Sequence, residues 1–351
     1  MLNVLSDPAL VALIGLAGGL ILGFAARFGR FCTLGAIEDF FYGHNDLRMR
    51  MWGVAIGVAI IGTYSLVGLG ALTLSETIYL GLRWYPAASI VGGLLFGYGM
   101  ALSGNCGFGA LARLGGGDLR AFVIVLVMGL ASYITLSGPL AYVRIYFFPA
   151  ETISGALPSI PTYLSAVTGT AEVAIGIIIG LAILAFSIAP LRVRKSPETL
   201  FWGASLGLAI VSGWAGTQWV SNNGFDGTRV VSHTFSAPIG ETMLYAMTAS
   251  GNTISFGIGS VVGVLLGAFI SSLIKGHFRW EACEDPRELR RQIIGAFLMG
   301  VGAVTALGCS IGQGLSAFSV LSFSAPTTFL AILAGTAIGL KQLITGFAPA
   351  E

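Results

Sequence analysis

Three cysteines stand at matching places in an apolar chain. Cys32, Cys106 and Cys309 each follow a glycine (Gly23, Gly97 and Gly300) by nine residues. A thiol offers a weak S–H donor and a weak sulfur acceptor, and its ionised form is a nucleophile. The letters around the cysteines repeat as well. A shift of 203 carries Gly97, Gly99, Cys106 and Gly109 onto Gly300, Gly302, Cys309 and Gly312, and a shift of 74 carries Gly18, Gly19, Gly23 and Cys32 onto Gly92, Gly93, Gly97 and Cys106. A shift of 184 from the first copy matches Gly19, Gly23 and Ala25 to Gly203, Gly207 and Ala209, and puts Gly216 where a cysteine would stand. Four copies are therefore expected, three with a thiol and one with glycine; Gly216 either leaves the path open, marks a tight backbone approach beside it, or only packs.

The medium in which these copies sit follows from composition. The chain of 351 residues is 55% hydrophobic and 10% charged, with a mean hydropathy of +0.86. Soluble domains carry about a quarter charged residues, so this chain has too few to cover a water-facing surface. The fold class expected is all-α and polytopic in a membrane. Apolar runs near the roughly 20 residues of a spanning helix fall at about 8–26, 51–73, 87–104, 119–140, 171–190, 200–215, 251–274, 291–308 and 326–345. Shorter pieces follow the repeated turns at about 33–43, 107–115, 238–247 and 311–323. That makes nine spans and four re-entrant half-helices. A link at 142–170 holds Pro149, Pro158 and Pro161 and divides a first membrane half, 1–141, from a second, 171–351; proline makes one continuous helix unfavourable there.

Charge placement orients the chain. With the N-terminus outside, only Arg83, Arg144 and Arg229 of the 18 Lys and Arg fall on the outer side. The bias matches the positive-inside rule and places the C-terminus in the cytoplasm. The two halves then enter from opposite faces, an inverted-repeat plan found in transporters. Broken helices are tolerated at membrane depth only around a protected cavity. Their N-termini offer free N–H groups and partial positive charge, which suit an anion. Thiols beside such termini suit brief contacts with a moving anion, since a conducting site must also release its cargo.

Other residues carry alternative readings. Gly107, Gly109, Gly312 and Gly314 either form the turns or pack helices together. Asn105, Ser310 and Gln313 flank the thiols and either donate to an oxyanion or satisfy the loops. Arg27 and Arg30, with Glu38 and Asp39 as possible ion-pair partners, either draw anions to the inner mouth or only fix topology. Cys283 lies in a charged loop outside the repeat. His44, His233 and His277 are far apart in expected loops, which argues against a metal site or a proton relay. No cofactor motif, nucleotide-binding loop or zinc spacing is present, and the net charge of +2 does not suggest nucleic acid.

At GRFC (29–32), NCGFGAL (105–111) and GCSIGQGLS (308–316) the chain resembles the YeeE/YedE family of bacterial inner-membrane sulfur transporters. The resemblance implies nine transmembrane helices and short re-entrant helices forming an hourglass around a central path. It maps the family's three functional cysteines onto Cys32, Cys106 and Cys309, with thiosulfate passed between them through S–H···S contacts. It also implies work with a small cytosolic TusA-like carrier protein, while related members handle selenium compounds. Two rival functions stay open at this level. One is a membrane thiol sulfurtransferase or oxidoreductase; the other is transport of a different small solute, with the cysteines purely structural.

Overall fold

The apolar runs become helices, and the repeat becomes a structural unit: a long helix, a break, a short helix and a second long helix. The computed structural model describes residues 6–149, 151–152, 155–282 and 285–346; Cys283 lies outside them. The first unit comprises α1 (Asp7–Arg27), α2 (Thr33–Phe41) and α3 (Leu47–Gly68). The second comprises α4 (Pro86–Ser103), α5 (Gly107–Leu114) and α6 (Leu119–Leu136). The expected proline-rich link contains two short helices, α7 (Pro139–Phe147) and α8 (Ile160–Thr168). It is followed by α9 (Glu172–Ile188) and one turn, α10 (Leu191–Arg194). The third unit is α11 (Pro197–Asn223), α12 (Ala237–Thr248) and α13 (Phe256–Ile274). The fourth is α14 (Pro286–Thr305), a π-helical turn at Gly312–Ala317 and α15 (Ser324–Thr345).

Among the described residues, 7 helical runs are long and apolar enough to cross a membrane, one of them joining α4 to α5. At 17 residues, α9 is apolar but short. The opening turns of α14 carry Arg287, Glu288, Arg290 and Arg291. Sequence signals set several starts. Proline occupies the first turn of α1, α4, α11 and α14, where its missing N–H costs nothing. Asp118 caps α6 and Ser255 caps α13.

Backbone approach decides how the units pair. Along α1, a Cβ added at Gly15, Gly19 or Gly23 would lie 2.2, 2.3 or 2.5 Å from the carbonyls of Phe256, Ser260 and Val264 on α13. Gly259, Gly263 and Gly267 return the contact from α13. Such small-residue faces let membrane helices meet backbone to backbone. Numbers rise together on both helices, so α1 and α13 are parallel. The same holds for α4 and α15, through Gly93 at Thr328 and Gly97 at Ile332, and for α3 and α11, through Gly203 at Met51 and Gly207 at Ala55. In contrast α4 and α14 are antiparallel, since Gly92 meets Gly302 and Gly99 meets Gly295. Unit one thus pairs with unit three and unit two with unit four, and the leading helices of each pair run in opposite directions.

The glycine nine residues before each cysteine has its explanation here. Gly23, Gly97 and Gly300 each sit where their helix crosses the last long helix of the paired unit, against Val264, Ile332 and Met128. Gly207 occupies the fourth such crossing, against Ala55. Beyond Gly207 the alignment fails. Helix α11 continues unbroken to Asn223, and Gly216 lies inside it with its open side toward Ile14 of α1. Gly216 is a packing position, not a helix break.

Candidate functional site

Each cysteine ends a break of the same design. The residue two before it has a positive φ: Arg30 at 51°, Gly104 at 73° and Leu307 at 58°. Glycine adopts that conformation freely, whereas arginine and leucine adopt it against a cost of about 1–2 kcal/mol. The reversal lets the chain turn from the end of a long helix into a short one whose first residues lie beside the thiol. Cys32 and Cys106 are the N-caps of α2 and α5, and Cys309 immediately precedes the helical segment that begins at Ser310.

Three residues further on, the spacing repeats again as Cys-x-x-Gly. The N–H groups of Gly35, Gly109 and Gly312 donate to the sulfurs of Cys32, Cys106 and Cys309 at 3.5, 3.3 and 3.5 Å. Gly35 was missed by the sequence reading, though this spacing marks it. At Gly312 the absent Cβ matters sterically, since it would lie 2.5 Å from Thr234 Oγ1 and 3.0 Å from Tyr79 Oη. At Gly35 it would lie 2.5 Å from Arg48 Nη1.

The three turns converge. Thr33, next to Cys32, donates its hydroxyl to Cys106 Sγ at 3.9 Å, and Cys32, Cys309 and Ser310 all lie within electrostatic reach of Cys106. Cys106 and Cys309 are fully buried and Cys32 is half-buried. Aromatic rings seal the space around them. Phe31 packs on Phe108 at 6.4 Å between centroids, Phe108 on Phe235 at 5.2 Å, and Phe31 on Trp52 at 4.6 Å. The thiols of Cys106 and Cys309 are thus closed off from the protein surface.

The fourth approach to this centre comes from unit three and was not legible in the glycine spacing. After α11 the chain returns as an extended segment that follows the helix back toward the middle of the protein. Val231 bonds to Thr217 through backbone and hydroxyl, and Ser232 Oγ donates to the Ile210 carbonyl. The Phe235 N–H then donates to Cys309 Sγ at 3.3 Å, with Thr234 Oγ1 3.7 Å from the same sulfur. Ser236 is the N-cap position of α12. A cavity of about 700 Å³, lined in part by Arg229, Ser232 and Thr234, opens beside this segment.

Several expectations change with these positions. His233 lies in a loop, as expected, but is fully buried beside the site, with Nδ1 2.6 Å from Ser260 Oγ. Gln313 is committed to the loop, because its Nε2 donates to the Ala306 carbonyl and its Oε1 accepts from Ser324. Asp39 pairs with Arg48 at 3.2 Å, not with Arg27 or Arg30. Arg27 is held against Ser272 at the junction of α1 and α13. Asn105 is buried, and its carbonyl accepts from Ser103. Gly107 leaves room for Met128, Gly109 faces Asn105 and Cys106 at ordinary contact distance, and Gly314 leaves room for Phe329 and Trp52. Ser310 Oγ is buried without an oxygen or nitrogen partner, with the Cys106 thiol within reach. No group of three or more potential metal ligands occurs among the described residues.

Comparison with known proteins supplies the remaining observation. The family model described as "Sulphur transport" matches residues 28–338. The thiosulfate transporter TsuA of Spirochaeta thermophila is 26% identical over 324 residues, covering 88% of this chain and 92% of the relative. The thiosulfate transporter TsuA of Escherichia coli is 24% identical over 321 residues, with 86% of each chain covered.

Proposed function

The chain belongs to the sulphur-transport family, and on that premise we propose that it moves thiosulfate into the bacterial cell along Cys309, Cys106 and Cys32. The observation that carries the reading is the convergence of three Cys-x-x-Gly turns, drawn from inverted units, on one buried centre. Thiosulfate presents a terminal sulfur and negatively charged oxygens. Each thiol can give the terminal sulfur a weak S–H contact, while the N-terminal end of each short helix adds backbone N–H groups and partial positive charge. The contacts are weak one by one, which lets the anion leave each position for the next.

The positive-inside bias supports an inner-membrane protein with its N-terminus outside and its C-terminus in the cytoplasm. Cargo then enters from the cavity beside Thr234 and leaves past half-buried Cys32. Residues 1–141 and 171–351 act as the two membrane halves around this path, and lipid covers the exposed apolar helix faces. Asn105, Gly107, Gly109 and Ser310 shape the path next to the thiols; Gln313 braces its wall. A TusA-like carrier protein would receive the sulfur in the cytoplasm. The test is uptake of labelled thiosulfate by proteoliposomes containing the full chain. Uptake should require Cys106 and leave every thiol unmodified by mass, whereas full uptake by a Cys106→Ala, Cys309→Ala variant would refute the path. A persulfide retained on a cysteine after turnover would indicate sulfur transfer in place of passage.

A further inference from the structure

The thiols are interleaved with hydroxyls. Thr33 follows Cys32 in the chain but spends its hydroxyl on Cys106, 3.9 Å away. Ser310 follows Cys309, and its fully buried Oγ has the Cys106 thiol within reach but no oxygen or nitrogen partner. Thr234 sits 3.7 Å from Cys309 on the side of the large cavity. One hydroxyl therefore accompanies each step: Thr234 at the entrance to Cys309, Ser310 between Cys309 and Cys106, and Thr33 between Cys106 and Cys32.

We propose that Thr234, Ser310 and Thr33 are the specificity-determining residues of the path, holding the oxygens of an oxyanion while the thiols hold its sulfur. The inference rests on the cysteine path proposed above. A thiol is a poor match for a hard, charged oxygen, and a hydroxyl is a good one. A buried hydroxyl whose neighbour is only a weakly accepting thiol is left poorly satisfied, and a passing oxyanion supplies the better partner. A sulfur anion without oxygens, such as hydrosulfide, is a poorer match because sulfur is the weaker acceptor. Sites built to hydrogen-bond a ligand reject analogues that lack the matching group far more strongly than apolar sites do. The hydroxyls thus separate thiosulfate from hydrosulfide, a distinction that three thiols alone make poorly.

The experiment uses the full chain in proteoliposomes, with labelled thiosulfate as cargo and unlabelled hydrosulfide as competitor. Ser310→Ala and Thr33→Val should each raise the KM for thiosulfate roughly tenfold, as expected for the loss of one hydrogen bond to a charged group. Inhibition by hydrosulfide should change by less than about twofold, because its sulfur accepts from the hydroxyls only weakly. Thr33→Ser, which restores the hydroxyl, should restore the KM. The inference is overturned if both hydroxyl-free variants, eluting as folded protein, keep the parent KM while Cys106→Ala abolishes uptake. It is also overturned if thiosulfate and hydrosulfide lose affinity in parallel, which marks a structural role. Uptake that survives Cys106→Ala would instead bring down the path itself, and this inference with it.

Discussion

The turn at Cys309 and the segment at 232–236 occupy related places in units four and three, yet they are built differently. Before Cys309 the chain breaks within four residues, through a left-handed Leu307 and Gly308. In unit three the helix runs on to Asn223 and the chain must come back along it to reach the centre. The first arrangement delivers a thiol. The second delivers a backbone N–H and a hydroxyl to that same thiol. The missing fourth cysteine is therefore not a gap in the design, because unit three supplies the partner groups that orient Cys309. It also carries His233, which packs on Phe256 at 4.9 Å and whose carbonyl accepts from Ser316 on the π-helical turn. The two regions hold each other in place.

That division of labour is open to attack at several points. Cys309→Ala should lower thiosulfate uptake by roughly tenfold or more, since it removes a contact to an anion worth about 1.5–3 kcal/mol. Ser236→Ala, at the matching cap, should leave uptake within about twofold; equal losses would erase the distinction between the two breaks. Gly312→Ala should destabilise the protein by about 2 kcal/mol through overpacking against Thr234 and Tyr79. Gly35→Ala should cost less than about 0.5 kcal/mol, because the atom it meets is the mobile tip of Arg48. Thermal unfolding in detergent reads both changes.

Strain at the breaks provides a finer measurement. Gly104→Leu places a side chain at φ 73° and should lose about 1–2 kcal/mol. Leu307→Gly should gain up to about 1 kcal/mol, part of the relief being offset by the freer unfolded chain. If both changes leave the melting temperature where it was, the left-handed residue is not what shapes the turns. On uptake the smallest effect belongs to Gly216→Ala. Its Cβ meets the movable Ile14 side chain at 2.6 Å, so stability should fall by about 1 kcal/mol or less and uptake per folded molecule should not change. A loss of uptake without loss of stability would return Gly216 to the path.

Much of the architecture is present in the one-dimensional pattern. Apolar runs separated by GRFC, NCGFG and GCSIG already specify helices with breaks, because lipid leaves the backbone no alternative partner to its own hydrogen bonds. The Gly-to-Cys interval is legible because it records two requirements at a constant distance along a helix: a bare backbone at a crossing and a thiol at the following break. Gly35, Gly109 and Gly312 were legible for the same reason, although only the last two stood out beside a neighbouring match.

What the pattern could not separate is a glycine that ends a helix from a glycine that admits a neighbour. Gly216 has the right spacing for the first and serves the second, and only the position of Ile14 decides between them. The roles of Thr33, Thr234, Phe235 and His233 were hidden for a related reason. Hydrogen bonds such as Thr33 to Cys106 and Phe235 to Cys309 join residues 73 and 74 positions apart, and no local spacing encodes them. Spacing left Gln313 open as a donor for cargo or a loop residue, and only the fold shows the Ala306 carbonyl and Ser324 holding both ends of its amide. By itself the sequence determined the membrane medium, the helices, and three of the places where they break with the thiols there, since each follows from local polarity and backbone geometry. The tertiary structure alone decided which breaks meet and which polar atoms remain for a passing anion, because that depends on how inverted units pack across one another.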